Sequence, residues 1–166
     1  MANENKTITQ AVDKALNYLS YQARTVQEMK GYMKKKGVCD EVIKTAIEIL
    51  KDKNYLNDTQ FAKRFIETRV ETKPKSKFAF EYELRQKGIA LSDIDRFLQA
   101  YDDNDLALNA VRPKIKTWQH LDRDRFKKKM MNFLRYRGFS YDICLSTLNH
   151  FLESNRMEKE EEFHEN

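Results

Sequence analysis

The sequence has few of the residues that break or cross-link a chain. Its 166 residues include four glycines, two prolines, two cysteines and one tryptophan. Lysine, glutamate, leucine and alanine are abundant instead, and these residues favour helices. Aromatic residues make up 11% of the chain, enough to build hydrophobic cores, which argues against a disordered protein. We therefore expect an all-α protein.

Cysteine and histidine are too sparse and too scattered to form a cross-linked or metal-bound scaffold. Cys39 and Cys144 lie far apart in the sequence, and neither belongs to a CxxC motif. We predict that both are free, buried thiols of a cytosolic protein and do not form a disulfide. His120, His150 and His164 do not have metal-ligand spacing with one another or with the cysteines. No metal site is predicted from these residues.

Long apolar runs are also missing. No stretch approaches the roughly 20 apolar residues that a membrane-spanning helix needs. The first ten residues are polar and lack the apolar centre of a secretion signal. We expect a cytoplasmic protein without a membrane partner.

The chain is basic, and the charge is unevenly distributed. The formal net charge is +5, although residues 153–166 carry six acids against two bases. The rest of the chain is therefore more basic than the total suggests. Such a surface fits a polyanion or an acidic protein as partner, and it equally fits a lysine-rich surface that only keeps the protein in solution.

A glycine that follows basic residues recurs along the chain. "KKKG" ends at Gly37, "RQKG" at Gly88 and "RYRG" at Gly138, at separations of 51 and 50 residues. Apolar residues stand four places before and one place after each glycine: Met33 and Val38, Leu84 and Ile89, Leu134 and Phe139. The recurrence predicts an internal structural repeat.

Each copy of the repeat has the pattern of two helices joined by a glycine turn. Apolar residues have helical spacing before the glycine, which can end a helix in the left-handed conformation. Thr25 and Glu28 have the spacing of a capping box at the start of the second helix. A further helix precedes each pair, and in the third copy we expect a bend or restart at Pro113.

The sequence therefore predicts nine short helices in three tandem three-helix modules. The modules span residues 1–54, 55–103 and 104–152, and residues 153–166 form an acidic tail that is either a fraying helix end or disordered. Because modules this small bury little surface alone, we expect them to stack into an elongated, curved body. We expect this body to be a monomer.

The chain lacks a recognisable catalytic constellation. It has no phosphate-binding glycine loop, no GxSxG and no HExxH motif. Two Asp-rich stretches, 101–105 and 121–125, lack the spacing of a calcium loop, and we interpret them as helix-start acids. We predict no enzyme, no catalytic residues and no cofactor, and keep a metal-dependent hydrolase only as a minor alternative.

Two clusters of basic residues are the candidate binding surfaces. Residues 112–137 hold ten bases and two acids, and a smaller basic cluster lies in the middle module. Our candidate binding residues in the third module are Lys127, Lys128, Lys129, Arg135, Arg137, Lys114 and Lys116, and in the middle module Arg64, Arg69 and Lys73. Gly37, Gly88 and Gly138 are assigned a structural role at the turns.

Four stretches resemble the RecX family of regulatory proteins. They are "YLSYQARTVQEM" (18–29), "YLNDTQFAKRFIETR" (55–69), "YELRQKGI" (82–89) and "FLRYRGFS" (133–140). The resemblance runs over residues 11–151, and the order and spacing of the stretches make it specific. One departure is Ser76, which stands between Lys75 and Lys77 where many relatives have glycine.

The resemblance implies a bacterial cytoplasmic modulator of the RecA recombinase. Such proteins bind the RecA filament on single-stranded DNA, lie along its groove and damp its recombinase, ATPase and coprotease activities in recombination, DNA repair and the SOS response. A weak contact with single-stranded DNA is compatible with that role. The alternative is a helical protein that binds DNA directly, because three-helix modules with basic faces can enter a groove.

Overall fold

The computed structural model describes residues 2–164 of the chain, with the side chains of residues 6–153. Within that part the secondary structure consists of nine α-helices and no strand. The helices are α1 (Ala2–Tyr21), α2 (Val26–Lys35), α3 (Asp40–Asp52), α4 (Asp58–Thr72), α5 (Lys77–Gln86), α6 (Leu91–Leu98), α7 (Asp103–Trp118), α8 (Arg123–Tyr136) and α9 (Tyr141–His164). The prediction of an all-α fold with nine helices is confirmed for these residues.

The chain divides into two compact units. The first comprises Met1–Phe65 and Glu83–Phe97, and the second comprises Ile66–Tyr82 and Leu98–Asn166. The module boundaries 1–54, 55–103 and 104–152, the curved shape and the monomeric state stay predictions. The predicted acidic tail lies outside the residues whose side chains are described, except for Glu153.

In the first unit, α1, α2 and α3 pack against one another around an apolar core. The small residues Ala11, Ala15 and Ala46 let the helices approach closely. Larger core residues fill the remaining space: Met29, Met33, Val42, Ile43, Ile47, Leu50 and Leu56.

In the second unit, α7 and α8 pack against each other and against α9. The buried side chains of this bundle come from all three helices and from the turn before α9: Leu106, Ala107, Ala110, Val111, Trp118, Phe126, Met130, Leu134, Phe139, Cys144 and Leu148. The edge of the Trp118 ring meets Phe133, with 5.3 Å between ring centres. Since these residues occupy one side of α8, the opposite side is left to solvent.

The three repeated glycines end α2, α5 and α8 in the same way. Gly37, Gly88 and Gly138 have φ values of 74°, 79° and 85°, in the left-handed region that glycine adopts without strain. In the third copy, the N–H of Gly138 donates to the carbonyl of Arg135, and the N–H of Phe139 donates to that of Leu134. The first two copies repeat both bonds, so each glycine belongs to a Schellman motif that satisfies the carbonyls of the last turn.

Polar side chains cap the beginnings of several helices. The predicted capping box at α2 is confirmed, since Thr25 accepts from the N–H of Glu28, and Glu28 accepts from the N–H of Thr25. Asp102 caps α7 and Asp122 caps α8, which confirms the interpretation of both Asp-rich stretches as helix-start acids. The Asn104 N–H, to which the Asp102 carboxylate binds, lowers the pKa of that carboxyl group.

The expected restart at Pro113 is wrong, because α7 is one helix from Asp103 to Trp118 with Pro113 inside it. Proline removes only one hydrogen bond of the helical ladder, that to the residue four places earlier. Buried residues on both sides of the proline, including Val111 and Trp118, attach the two halves of α7 to the core. The packing of α7 against the core therefore outweighs the tendency of Pro113 to end or bend the helix.

The prediction of two free, buried thiols needs one correction. Both cysteines are free and Cys144 is buried, but Cys39 is exposed. Cys39 is the N-cap residue of α3, one residue before the helix begins and before its buried residues Val42 and Ile43. It therefore lies outside the apolar face of α3. Burial raises the pKa of the Cys144 thiol.

Candidate functional site

Helix α8 has an apolar side and a basic side. Phe126, Met130 and Leu134 face the core of the second unit. On the opposite side, six exposed residues fall within about a third of the helix circumference. We call this set the α8 stripe: Arg125, Lys128, Lys129, Asn132, Arg135 and Tyr136.

Most of the positive charge on the α8 stripe is uncompensated. Arg125 pairs with Asp122, with 3.2 Å between the guanidinium Nε and a carboxylate oxygen. Among the described side chains, Lys128, Lys129 and Arg135 form no ion pair. Three of the predicted binding residues are therefore together on one surface and available to an anionic partner.

The α8 stripe ends in an aromatic residue that the sequence analysis did not select. The Tyr136 side chain is 89% exposed at the last position of α8. Tyr141, the first residue of α9, is 63% exposed just beyond the Gly138 turn. The sequence signal was present in "RYRGFSY", but the aromatic residues could have belonged to the core until their exposure was known.

Two other predicted residues of α8 do not lie on the stripe. Lys127 is half-buried beside the apolar side. Arg137 follows the last residue of α8 and turns toward the start of α5, where its guanidinium donates to the Pro74 carbonyl at 2.7 Å. It also lies over the Phe133 ring, 4.8 Å from the ring centre. Burial lowers the pKa of Arg137.

The turn at Gly138 is packed against the start of α5. The N–H of Ser76 donates to the Arg137 carbonyl at 3.1 Å, and the Ser76 hydroxyl accepts from the N–H of Ala79. A Cβ atom at Gly138 would lie 2.8 Å from the Ser76 oxygen and 2.9 Å from the Ala79 Cβ. Ser76 therefore caps α5 with its hydroxyl group and binds the Gly138 turn with its backbone N–H.

The same arrangement occurs in the first unit, between the Gly88 turn and the start of α2. The Thr25 hydroxyl donates to the Lys87 carbonyl at 2.8 Å, and the Lys87 ammonium pairs with Glu28. A Cβ atom at Gly88 would overlap with the Gln27 side chain. Lys87 and Arg137 are the residues before the two glycines. Each of them therefore has a structural role, because it holds a glycine turn against the start of a helix in its own unit.

In each of these two contacts, an aspartate also accepts a hydrogen bond from the start of the helix that packs against the turn. The first backbone N–H of α2, at Val26, donates to Asp58 at 2.9 Å, and that of α5, at Lys77, donates to Asp103 at 2.8 Å. Burial raises the pKa of Asp58 and outweighs the Val26 hydrogen bond. Burial would also raise the pKa of Glu28, but Lys87 and the Thr25 N–H outweigh it and lower that pKa.

The remaining predicted residues are not part of the α8 stripe. Lys114 and Lys116 are exposed on α7, but two residues correspond to about 200° around a helix, so they do not share a face. On α4, Arg64 is exposed and Arg69 is half-buried. Lys73 is exposed directly after the last residue of α4.

The described residues offer neither a metal site nor a membrane-spanning helix. No group of three or more histidine, cysteine, aspartate or glutamate side chains among them could hold a metal ion. No helix in the described part of the chain is long and apolar enough to cross a membrane.

Three domain models of one known family match consecutive parts of the chain. Models of the first, second and third three-helix domains of RecX match residues 11–50, 57–98 and 101–148. The chain belongs to the RecX family. Membership confirms the resemblance of the four sequence stretches and the three tandem three-helix domains, and it makes the chain a member of a family of regulatory proteins.

RecX proteins of several bacteria are similar over nearly the whole chain. The regulatory protein RecX of Prosthecochloris aestuarii is 34% identical over 142 residues, which cover 86% of this chain and 93% of that protein. That of Chlorobium limicola is 30% identical over 154 residues, 93% of this chain and 96% of that protein. The chain spans only 60% of the longer Bacillus pumilus RecX, with 28% identity.

Solved structures of RecX proteins share the fold. The crystal structure of RecX from Lactobacillus salivarius aligns with a TM-score of 0.71 at 25% identity, over 90% of this chain and 97% of that one. A second crystal structure of a regulatory protein RecX aligns with a TM-score of 0.68, also at 25% identity, over 85% and 71% of the two chains.

Proposed function

We propose that this protein binds the RecA filament assembled on single-stranded DNA and inhibits its recombinase, ATPase and coprotease activities. The proposal rests on membership of the RecX family, whose regulatory role the resemblance connects with RecA. It places the protein in the bacterial cytoplasm, as a binding protein and not as an enzyme.

The observation that supports a specific binding surface is the α8 stripe. Lys128, Lys129 and Arg135 are exposed, lie on one side of a packed helix and have no acidic partner among the described side chains. A row of cations on a packed helix attracts an anionic surface. Because the helix is already ordered, binding does not require a flexible loop or tail to become ordered. A filament assembled on single-stranded DNA presents such an anionic surface through the DNA phosphates.

The proposal takes only some of the predicted residues into this surface. Arg137 is kept out of it, because its guanidinium and carbonyl are both used at the start of α5. The proposal therefore concerns Lys128, Lys129 and Arg135 first. Lys127, Lys114, Lys116, Arg64, Arg69 and Lys73 are second candidates, to be tested singly.

The experiment is RecA-catalysed ATP hydrolysis on single-stranded DNA, titrated with the wild-type protein. We expect the rate to fall as the protein is added, with the RecA of the same bacterium. An unchanged rate at saturating protein would overturn the proposed function. Performing the titration both before and after filament assembly separates blocked filament growth from filament loss, since only the latter lowers the rate of a preassembled filament.

A further inference from the structure

The C-terminal end of the α8 stripe combines cations with an aromatic ring that is almost wholly exposed. Tyr136 is 89% exposed, although burying an aromatic side chain is normally favourable. Arg135 precedes it, and Asn132 lies one turn earlier on the same side. Cations and an amide beside an open aromatic face are the groups that bind the phosphates and bases of a single strand.

We propose that the α8 stripe is a binding site for single-stranded nucleic acid, in which Tyr136 stacks on a base. Lys128, Lys129 and Arg135 hold the backbone phosphates and supply affinity without sequence preference. The inference deepens the proposed function, and rests on it, by naming the DNA strand as the component of the filament that the stripe contacts.

The packing of α8 supports this assignment over a general basic patch. The helix is fixed by Phe126, Met130 and Leu134, so the stripe is a rigid platform and not a flexible arm. The cations at positions 128 and 135 are seven residues apart, about 10 Å along the helix axis. Phosphates of one strand of B-DNA follow one another about every 3.4 Å along the axis, so the stripe is long enough to contact more than one nucleotide.

An acidic protein surface is the competing partner. An exposed tyrosine beside arginine also suits a protein–protein interface, where the ring packs against another side chain. A base, in contrast, offers a flat face that gains stacking energy on the ring whatever its identity. Tyr136 therefore separates the two partners experimentally, whereas the charges alone do not.

The chain contains a matched control for Tyr136. Tyr21 is 85% exposed and is also the last residue of its helix, α1. The last turn of α1 carries no basic residue. A change at Tyr21 therefore removes an almost equally exposed ring from the same position at the end of a helix whose last turn has no basic residue.

The test measures binding of the full-length protein to a fluorescein-labelled oligothymidylate by anisotropy, without RecA and at low salt. We expect Tyr136→Ala to weaken binding by about 5- to 150-fold, the range for loss of one stacked base. Tyr136→Phe should retain wild-type affinity, because stacking needs the ring and not the hydroxyl. Tyr21→Ala should also bind as the wild type does.

A strand of the same length with abasic sites supplies the second arm. The wild type should bind it more weakly than oligothymidylate, and Tyr136→Ala should bind both strands alike, because the variant has no ring on which a base could stack. Equal binding of both strands by the wild type would overturn the inference, as would unchanged binding by Tyr136→Ala or no binding of DNA at all.

RecA inhibition measured on the same proteins keeps the two proposals distinct. If the wild type inhibits ATP hydrolysis but does not bind the strand through Tyr136, the inference is wrong and the proposed function stands. If the wild type binds the strand through Tyr136 but leaves ATP hydrolysis unchanged, the inference stands and the proposed function is wrong.

Discussion

The guanidinium of Arg137 donates a hydrogen bond to the carbonyl of Pro74, 63 residues earlier in the sequence, while Arg135 is exposed to solvent on the other side of the helix end. Two arginines of the tripeptide "RYR" therefore have different roles. Arg137 holds the turn after α8 against the start of α5, and Arg135 belongs to the α8 stripe. Substitution of each should separate stability from binding.

Arg137→Ala should destabilise the second unit, and Arg135→Ala should not. Loss of a hydrogen bond from a charged group costs about 1.5–3 kcal/mol, whereas a change at an exposed position stays within about 0.5 kcal/mol. Urea denaturation followed by the fluorescence of Trp118, the single tryptophan, measures the difference. Equal stability of the two variants would show that the Pro74 contact does not hold the turn.

Alanine at the repeated glycines should cost more at Gly138 than at Gly37. Both positions require a left-handed residue, which costs a residue with a side chain about 1–2 kcal/mol. Among the described residues, a Cβ atom at Gly37 would have no neighbour within 4 Å, whereas one at Gly138 would overlap with Ser76 and Ala79. Urea midpoints from circular dichroism should rank wild type above Gly37→Ala and that above Gly138→Ala. The reverse order for the two variants would contradict the packing described for Gly138.

Glu28→Gln should remove part of the acid sensitivity of the protein. Because the folded state lowers the pKa of Glu28 below its ordinary value of 4.5, its ionised form stabilises the fold above pH 4.5, and this stabilisation is lost as the pH falls through the lowered pKa. Glu28→Gln should cost about 1–3 kcal/mol at neutral pH and less in acid. Asp58 acts in the opposite direction, since burial raises its pKa and its ionisation destabilises the fold as the pH rises.

Urea denaturation at a series of pH values, followed by circular dichroism, tests this prediction. The wild-type and Glu28→Gln curves should converge below pH 4.5. Asp58→Asn in the same series serves as the control with the opposite sign: because ionisation of Asp58 destabilises the fold, this variant should be at least as stable as the wild type at neutral pH, and the difference should shrink in acid. Parallel curves for the wild type and Glu28→Gln would mean that the ionisation of Glu28 is not linked to folding.

The two thiols should differ in reactivity. Cys39 is exposed, whereas Cys144 is buried with a raised pKa, and both properties slow its reaction with a disulfide reagent. Titration of the native protein with Ellman's reagent should modify one thiol quickly, and urea should expose the second. Cys39→Ser should abolish the fast phase. Rapid reaction of both thiols in native Cys39-containing protein would contradict the burial of Cys144.

The parts of the fold that depend on residues close together in the sequence could be predicted from it. The glycine turns, the capping box at Thr25 and the caps at Asp102 and Asp122 are all set by residues within one helical turn. The continuous course of α7 through Pro113 could not be predicted in this way, because it depends on the packing of α7 against the core on both sides of the proline. The exposure of Cys39 depends on where the apolar face of α3 begins.

The candidate site was predictable only in outline. Basic residues 112–137 indicated the region, but one periodic pattern could not show that Arg137 turns inward toward Pro74. Tyr136 was missed for the same reason, since an aromatic residue near a helix end is more often buried than exposed. In both cases the deciding information is a contact, or its absence among the described residues, between parts of the chain distant in sequence.

The most direct test of the account is charge reversal of the α8 stripe in the RecA assay. The variant Lys128→Glu, Lys129→Glu, Arg135→Glu is compared with Lys30→Glu, Lys35→Glu, Lys44→Glu, which reverses three exposed lysines of α2 and α3 with the same change in net charge. Circular dichroism confirms that both variants are folded. We predict that the stripe variant no longer slows ATP hydrolysis on single-stranded DNA, while the control variant inhibits like the wild type. Full inhibition by the stripe variant, or equal loss in both variants, would contradict the assignment of the α8 stripe as the filament-binding surface.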